Sequence, residues 1–295
     1  MKFGKNEALG RLALLGTTLI WGTTFVIQKN TLDSITPLWV LAMRFFGAAV
    51  VIFLAGLPKL KKLDRKTLKG GALMGSLLAM GYTVQTYGLA YTSPGKNAFL
   101  TATYCILVPY LYWLIYKRKP DRYNIIAAVL GVTGMGFVCL QNDLSVNIGD
   151  ILTICCGLFY GLHIILTSHY VEDRDPMLLT LVQFAVAAVL CFVFALLVEP
   201  IPKNVPTDAW YSVLYLSVMC TGVCFFLQTY GQKYTPPSTT SLILTLESVF
   251  GTALSIILGK ENLTAGILCG FALIFVAIVI SETKLDFLKK KKPTA

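Results

Sequence analysis

Long apolar runs separated by short polar connections dominate the pattern of this chain. Ten of these runs reach the length of about 20 residues that a helix needs to cross the hydrocarbon core of a bilayer. Numbered as apolar segments 1 to 10 in chain order, they lie near residues 11–29, 36–56, 70–91, 95–117, 121–140, 149–169, 176–198, 208–233, 236–259 and 263–282. No connection is long enough for a soluble domain. The pattern therefore predicts an all-α membrane protein with ten transmembrane helices.

Composition and charge agree with this prediction. Hydrophobic residues make up 56% of the chain and charged residues 14%, with a mean hydropathy of +0.69, whereas soluble domains carry about 25% charged residues. With a cytoplasmic N-terminus, 20 of the 25 Lys and Arg residues fall on the cytoplasmic side, 4 on the outer side and Arg44 inside segment 2. Lys and Arg concentrate on the cytoplasmic side of membrane proteins. We therefore predict a multi-pass protein of the plasma (inner) membrane with cytoplasmic termini. The same bias explains the net charge of +10 without a nucleic-acid partner.

Neither a metal site nor a cofactor is expected. The chain has eight cysteines but only two histidines, and they lack the paired ligand spacing of a zinc site. Cysteines inside apolar segments are predicted to be small packing residues. The phosphate-binding pattern G-x4-GK[ST] does not occur in the sequence, so ATP is not expected to be the direct energy source.

The chain contains an internal repeat. Residues 85–92 read QTYGLAYT and residues 228–235 read QTYGQKYT, which agree at six of eight positions with an offset of 143. Other pairs, such as Pro37 with Pro176, match at an offset of 139. Similarity at a nearly constant offset indicates a duplicated structural unit.

The repeat divides the chain into two units of five apolar segments each, residues 1–145 and residues 146–295. Because five is an odd number, the second unit would enter the membrane in the direction opposite to the first. Inverted repeats of this kind are typical of secondary transporters. The predicted fold is therefore ten transmembrane helices in two inverted five-helix repeats.

Polar and aromatic side chains form stripes along equivalent segments of the two units. A polar group at bilayer depth is costly unless it faces protein or water, so these side chains are predicted to line one cavity near the midplane, although each also fits ordinary packing. Aromatic walls with a few polar groups are typical of small-molecule sites. The candidate substrate-binding residues are Trp21, Thr24, Tyr82, Gln85, Tyr104, Tyr160, His163, Gln228 and Glu247.

Two charged residues inside the apolar segments are candidates for coupling or charge balance. Glu247 lies near the middle of segment 9, where an isolated carboxylate is costly. It is expected to bind a cationic group, to bind a proton or to pair structurally. Arg44 is expected to neutralise Glu247, to contact the carboxyl end of a helix or to meet the carboxylate of an amino acid. Lys260 and Glu261, at a helix end, are expected to form a cap or to lie at the membrane interface.

Several short motifs resemble those of a known family. They are WGTTF at 21–25, P-x6-RF at 37–45, GLAYTSPGKNAFL at 88–100, LESVF at 246–250 and GKE at 259–261. In this order and spacing the whole chain resembles the EamA family of the drug/metabolite transporter (DMT) superfamily. That family often has a proline after the glutamate, where this chain has Ser248. The resemblance implies ten helices, cytoplasmic termini and transport of small metabolites, often amino acids in the outward direction.

The sequence therefore predicts a secondary active transporter that moves a small metabolite across the plasma membrane by alternating access. An amino acid or related amine is the favoured solute, and export the favoured direction. An importer of a cationic or quaternary ammonium solute, or of a nucleobase-like metabolite, is the alternative. A non-transporting scaffold and an intramembrane enzyme are further alternatives, although HExxH and G-x-S-x-G motifs do not occur. The expected partners are the solute, the lipid bilayer and a proton or counter-substrate, and the sequence is compatible with a homodimer.

Overall fold

The computed structural model describes residues 4–139, 147–257 and 262–284, which are helical apart from short connections. The helices are α1 (Lys5–Trp21), α2 (Thr24–Thr31), α3 (Pro37–Gly56), α4 (Arg65–Tyr91), α5 (Pro94–Thr101), α6 (Tyr104–Tyr116), α7 (Arg122–Cys139), α8 (Ile148–Val171), α9 (Pro176–Val198), α10 (Thr207–Tyr215), α11 (Cys224–Gln232), α12 (Pro237–Leu244), α13 (Leu246–Ile257) and α14 (Ala265–Thr283). A 3-10 turn at Leu57–Lys62 follows α3, and a π-helical segment at Leu216–Val223 joins α10 to α11. Lys260, Glu261, the GKE motif and the Lys289–Lys292 run lie outside the described residues.

Six stretches of the described chain are long and apolar enough to cross a membrane. They are Lys5–Thr31, Pro37–Lys62, Pro94–Tyr116, Ile148–Val171, Pro176–Val198 and Thr207–Gln232, and a shorter apolar helix covers Ala265–Ser281. Large apolar side chains such as Phe46 and Leu197 lie on the outer surface of the bundle. A helix suits a lipid environment because its backbone groups are paired within the helix. The apolar outward faces of these helices suit contact with lipid chains. The chain is thus an all-α, multi-pass membrane protein.

Three of the apolar segments are interrupted rather than continuous. Segment 1 breaks between α1 and α2, segment 4 between α5 and α6, and segment 9 between α12 and α13. Thr23, Thr103 and Thr245 stand at the breaks, and each donates its hydroxyl to the carbonyl three residues earlier at 2.7 to 2.8 Å. Such local bonds compete with the helical ladder and bend helices. Each of these three apolar segments is thus divided into two consecutive helices.

Segment 8 is irregular in another way, because its middle turn is π-helical. Thr221 Oγ1 bonds the carbonyl of Leu216, five residues earlier, at 2.8 Å. The wider turn leaves the Cys220 carbonyl available to side chains, and it accepts a hydrogen bond of 2.8 Å from Trp21 Nε1. π-Helical turns occur frequently at functional sites.

The bundle is held together by helices of residues 1–145 packed against helices of residues 146–295. The main pairs are α3 with α9, α4 with α8 and α9, α1 with α11, and α7 with α14. Gly71 and Gly75 of α4 lie directly against Val182 and Gln183 of α9, where an added methyl group would collide. Small residues permit such close approach in membranes. The close contacts bring α1, α4, α8 and α11 around one central space.

Candidate functional site

A narrow cavity lies at the centre of the bundle, beside the breaks in segments 1, 4 and 9. All nine candidate substrate-binding residues line it, namely Trp21, Thr24, Tyr82, Gln85, Tyr104, Tyr160, His163, Gln228 and Glu247. About 50 Å³ is open to the centre of a water molecule, which is room for a few waters. A larger solute would require the surrounding helices to move apart. That these side chains bind a solute stays a prediction.

The cavity also has walls that the sequence did not single out. Phe25, Leu89 and Ile164 line it, but their apolar side chains look like ordinary packing residues in the sequence. Phe225 packs edge-to-face on Trp21, with ring centroids 5.1 Å apart, and Tyr82 packs in the same way on Tyr160 at 5.5 Å. These arrangements are favourable for aromatic rings, and they make the walls both apolar and rigid.

Glu247 brings a carboxyl group into the cavity. It follows the break at Thr245 and stands in the first turn of α13. Its side chain is only 5% exposed, and it has neither a hydrogen bond nor an ion pair with any described residue. A buried carboxylate without a partner is unfavourable. A cation, a proton or a hydrogen-bond donor bound at Glu247 would therefore stabilise the cavity.

Arg44 lies behind the cavity wall and is fully buried. Its Nη1 donates to Gln28 Oε1 at 2.6 Å, and its Nε donates to Thr221 Oγ1. Its Nη2 donates to the Tyr82 hydroxyl at 3.2 Å and to the carbonyl of Cys220 at 3.4 Å. The carbonyl that Arg44 contacts, that of Cys220, belongs to the middle of segment 8 and not to the carboxyl end of a helix. In the described structure the guanidinium bonds Gln28, Thr221 and Tyr82 rather than Glu247, and Arg44 is not among the residues that line the cavity.

Arg44 of the first unit and Tyr160 of the second fix the orientation of two glutamines in the wall. Because Arg44 donates to Gln28 Oε1, the Gln28 amide nitrogen faces Thr86 and donates to its hydroxyl at 2.8 Å. Tyr160 donates to Gln85 Oε1 at 2.8 Å, and Gln85 Nε2 donates to Thr101 at 3.0 Å. Gln28 and Gln85 are thus both satisfied within the protein and have no amide group left over.

His163 is held by the residue that corresponds to Arg44 in the repeat. Its Nε2 lies 2.8 Å from Gln183 Oε1, and Gln183 follows Arg44 at the offset of 139. The imidazole also meets the edge of Phe225, with ring centroids 5.9 Å apart. Since a carbonyl oxygen only accepts, Nε2 is the donor in this bond as the Gln183 amide is oriented.

The comparison with known families agrees with this architecture. The model of the EamA-like transporter family matches residues 8–140 and again residues 147–283. The chain belongs to the EamA-like transporter family. Membership places it among DMT-superfamily membrane proteins that transport small solutes.

Relatives and a solved structure resemble this EamA-family chain over nearly its whole length. An "Uncharacterized transporter" of Archaeoglobus fulgidus is 35% identical over 282 residues, which cover 96% of this chain and 88% of the relative. "Uncharacterized transporter YoaV" of Bacillus subtilis is 26% identical over 278 residues, covering 92% and 95%. A crystal structure shares the fold with a TM-score of 0.79 at 15% identity, covering 96% of this chain and 99% of the solved chain.

In this EamA-family protein a buried ion pair closes one end of the cavity. Lys96 Nζ lies 2.8 Å from Asp150 Oδ2, and the two side chains are 8% and 3% exposed. Asn97 Nδ2 donates to Thr153 Oγ1 at 2.7 Å beside this pair. We call Lys96, Asn97, Asp150 and Thr153 the Lys96 closure. It joins the beginning of α5 to the first turns of α8. In the sequence, Lys96 is one of the four Lys and Arg residues predicted on the outer side, and nothing there pairs it with Asp150.

Neutral hydrogen bonds close the other end of the EamA-family cavity. Gln228 Nε2 donates to Gln232 Oε1 at 3.0 Å, and Gln232 Nε2 donates to the Ile164 carbonyl at 2.8 Å and to Ser168 Oγ at 2.9 Å. We call Gln232, Ile164 and Ser168 the Gln232 closure. Beyond it, a vestibule lined by polar and aromatic residues, Glu7 and Arg118 among them, lies at the N-terminal side of the bundle.

Proposed function

We propose that this protein is a secondary active transporter that moves a small metabolite with an amino group, an amino acid or a related amine, outward across the plasma membrane by alternating access. The central cavity would hold the solute, and the Lys96 closure and Gln232 closure would open in turn. Family membership, the aromatic cavity and the broken helices beside it support the proposal, because transporters bind solutes near the midplane between discontinuous helices.

The proposed architecture is ten transmembrane helices in two inverted units, residues 1–145 and 146–295. The family model matches once in each unit. The breaks also correspond, because Ala102 follows the end of α5 and Thr245 follows the end of α12, and these residues are 143 apart. Tyr104 and Glu247, which both line the cavity, would be equivalent positions at the same offset. An inverted duplication would bring equivalent helices to one site in this way.

The observation that carries the proposal is a pair of matching glycine contacts at the two ends of the cavity. Gly88 and the carbonyl of Gly149 approach so closely that a methyl group on Gly88 would lie 2.8 Å from that oxygen. A methyl group on Gly231 would lie 2.8 Å from the carbonyl oxygen of Gly10. The repeat offsets relate Gly88 to Gly231 and Gly10 to Gly149. In the proposed mechanism these equivalent contacts would seal opposite ends, as rocking of the two units requires.

Coupling and orientation complete the proposal. Glu247 is the group that would exchange a proton or respond to a counter-substrate, since it alone among the predicted cavity residues carries a carboxyl group. Both termini would lie in the cytoplasm, and the vestibule would open there. A homodimer would be compatible with transport, because each chain contains a complete cavity.

Reconstitution into proteoliposomes tests the proposed transport. We expect vesicles loaded with an unlabelled amino acid or amine to accumulate the labelled solute by exchange, and vesicles without protein to show no accumulation. Absence of exchange for every amino acid and amine, with correctly inserted protein, would refute transport of this solute class. Formation of a chemically altered product in detergent would favour the enzyme alternative, and inertness in both assays the scaffold alternative.

Cysteine labelling tests the topology separately from transport. In a cysteine-free background, single cysteines at Asn204 and Lys233 would react with an impermeant reagent from opposite sides, since they fall on the predicted outer and cytoplasmic sides. Labelling of both positions from the same side would contradict the ten-helix inverted arrangement.

A further inference from the structure

Four polar groups that line the cavity have unused hydrogen-bonding capacity, and all four can accept a hydrogen bond. In the described structure the hydroxyls of Thr24 and Tyr104 and the Oε1 atom of Gln228 are buried without a hydrogen-bond partner. The carboxyl group of Glu247 is also unpartnered. Buried polar groups are ordinarily satisfied. Since Gln228 Oε1 and a carboxylate can only accept, this set suits a ligand that donates several hydrogen bonds.

The orientation of Gln228 is fixed by a chain of hydrogen bonds that ends on the backbone. The Ile164 carbonyl can only accept, so Gln232 must present its amide nitrogen there. Gln232 Oε1 then has to accept, and Gln228 must present its own nitrogen. The remaining atom, Gln228 Oε1, is therefore an acceptor directed away from the Gln232 closure. Its place in the cavity lining puts it within the same small space as Glu247.

The strongest donors near the cavity are already engaged. The guanidinium of Arg44 donates hydrogen bonds to four groups, the side chains of Gln28, Thr221 and Tyr82 and the carbonyl of Cys220. The indole N–H of Trp21 is bound to Cys220, and the hydroxyl of Tyr160 is bound to Gln85. Among the residues that line the cavity there is no lysine or arginine. A carboxylate placed beside Glu247 would have no cation to balance it, which is unfavourable in a buried site.

Resting on the transporter function proposed above, we propose that this cavity selects a primary ammonium group and that its substrates are amines with an apolar or aromatic body rather than amino acids. The ammonium group donates to Glu247, Gln228 Oε1 and the Tyr104 hydroxyl. The rings of Trp21 and Phe225 contact the body and stabilise the cation from their faces. A quaternary ammonium would leave the same acceptors unsatisfied, because it has no N–H group.

Matched ligands test this selectivity on the wild-type protein. Binding to purified protein at neutral pH is measured by titration calorimetry for two series, phenethylamine with phenylalanine and 2-phenylethanol, and isobutylamine with valine and isobutanol. The three members of a series share the same hydrocarbon group. The amino acid adds a carboxylate to the amine, and the alcohol replaces the ammonium group with a hydroxyl. We expect at least one amine to bind about tenfold or more tightly than its amino acid and its alcohol, the effect of a charged hydrogen bond. Equal or tighter binding of the amino acid or alcohol in both series, or no binding of either amine, would overturn the proposal.

Variants connect the selectivity to the carboxyl group. Glu247→Gln should reduce amine binding about tenfold or more while leaving alcohol binding unchanged. The matched control is Asp208→Asn, which removes an exposed carboxylate at the start of α10 and should bind like the wild type. If Glu247→Gln does not fold, Tyr104→Phe replaces it and should weaken amine binding alone. Undiminished amine binding in the folded variant would overturn the proposal.

The flux assay separates this inference from the proposed function. Amine-selective binding without exchange of any solute would refute transport and leave the ammonium site standing. Exchange of phenylalanine or valine in preference to the matching amine would leave transport standing and overturn the ammonium selectivity.

Discussion

Lys96 and Asp150 form a buried ion pair between the start of α5 and the first turn of α8, with Nζ 2.8 Å from Oδ2. Thr92 donates to the second carboxylate oxygen at 2.8 Å, and the backbone N–H of Asn147 donates to Oδ2 at 2.9 Å. The carboxylate therefore holds together three chain segments at one end of the cavity. The Gln232 closure at the other end relies on neutral amide groups. The two ends of the cavity thus differ, because one is held by charged groups and the other by neutral groups. The glycine contacts at the two ends, Gly88 with Gly149 and Gly231 with Gly10, are nevertheless alike.

Removal of one member of this pair should destabilise the protein strongly. Asp150→Asn removes the carboxylate that lies 2.8 Å from the buried Lys96 ammonium, and breaking a buried pair in this way costs about 3–5 kcal/mol. We expect a clear decrease in Tm in thermal unfolding of the detergent-solubilised protein. The cavity should also become more accessible from the Lys96 end.

The double variant Lys96→Met with Asp150→Asn is the control for this prediction. Because it removes both charges, it should recover much of the Tm lost by Asp150→Asn alone. Lys96→Met alone completes the comparison. If the stability that the double variant loses relative to the wild type equalled the sum of the losses of the two single variants, the two residues would not be energetically coupled.

The glycine contacts should set which end of the cavity is sealed. A methyl group at Gly88 would collide with Thr153 and Gly149, and one at Gly231 would collide with Leu14 and Gly10. We expect Gly88→Ala to increase labelling of a cysteine at Thr24 by an impermeant maleimide from the outer side. Gly231→Ala should increase labelling from the cytoplasmic side. Accessibility is measured in oriented vesicles with a background free of other cysteines.

Gly16→Ala is the control on α1. A methyl group there would touch only a Leu227 side chain at 3.7 Å, an ordinary contact distance. It should therefore leave labelling unchanged. Labelling from the same side in Gly88→Ala and Gly231→Ala would contradict opposite sealing of the cavity.

Much of the cavity lining could be predicted from the sequence because intramembrane polar groups are costly and have to face inward. Trp21 and Thr24 share a helical face at a spacing of three, and Gln85 and Gln228 fall on the repeated motif. These signals depend on composition and period, which the sequence displays directly. All nine predicted residues therefore appear around one cavity, although their role in binding stays a prediction.

The remaining features depend on contacts between distant residues or on local competition for hydrogen bonds. Lys96 and Asp150 are 54 positions apart, so periodicity within a segment could not join them. Threonines at the helix breaks resemble the many threonines that remain helical, because a hydroxyl bonds a nearby carbonyl in both situations. Thr133, which bonds the Val129 carbonyl at 2.8 Å inside an intact helix, illustrates this ambiguity.

The ion pair between Lys59 and Asp175 gives the protein a pH-dependent contribution to stability. Burial of the Asp175 carboxyl group raises its pKa, but the hydrogen bonds from Lys59 Nζ at 2.8 Å and from the Met177 N–H outweigh it, so its pKa lies below the usual value. A carboxyl group with a lowered pKa stabilises the folded state above its unfolded pKa of about 4. The stabilisation is lost as the pH falls through the lower folded pKa.

Asp175→Asn isolates this charge, since an asparagine still accepts from Met177 at the start of α9. We expect a small decrease in Tm at pH 7, because a partly exposed pair contributes at most about 1 kcal/mol to the free energy of unfolding. The difference from the wild type should disappear as the pH falls below about 4. A difference that stayed constant through this range would mean that the carboxylate charge does not contribute.

Arg44 should be irreplaceable by lysine because its guanidinium divides its donors among groups that lie in different directions. Lysine presents three donors from a single atom and cannot reach Gln28, Thr221 and Tyr82 together. Arg44→Lys would leave buried acceptors unpaired, at a cost of about 1–3 kcal/mol for each. We expect a lower Tm and a reduced yield of monodisperse protein. Arg174→Lys is the matched control, because Arg174 lies 3.6 Å from Asp64 in a partly exposed pair and should tolerate the change. If both variants kept the wild-type Tm, the hydrogen bonds donated by the Arg44 guanidinium would not be required for the stability of the cavity wall.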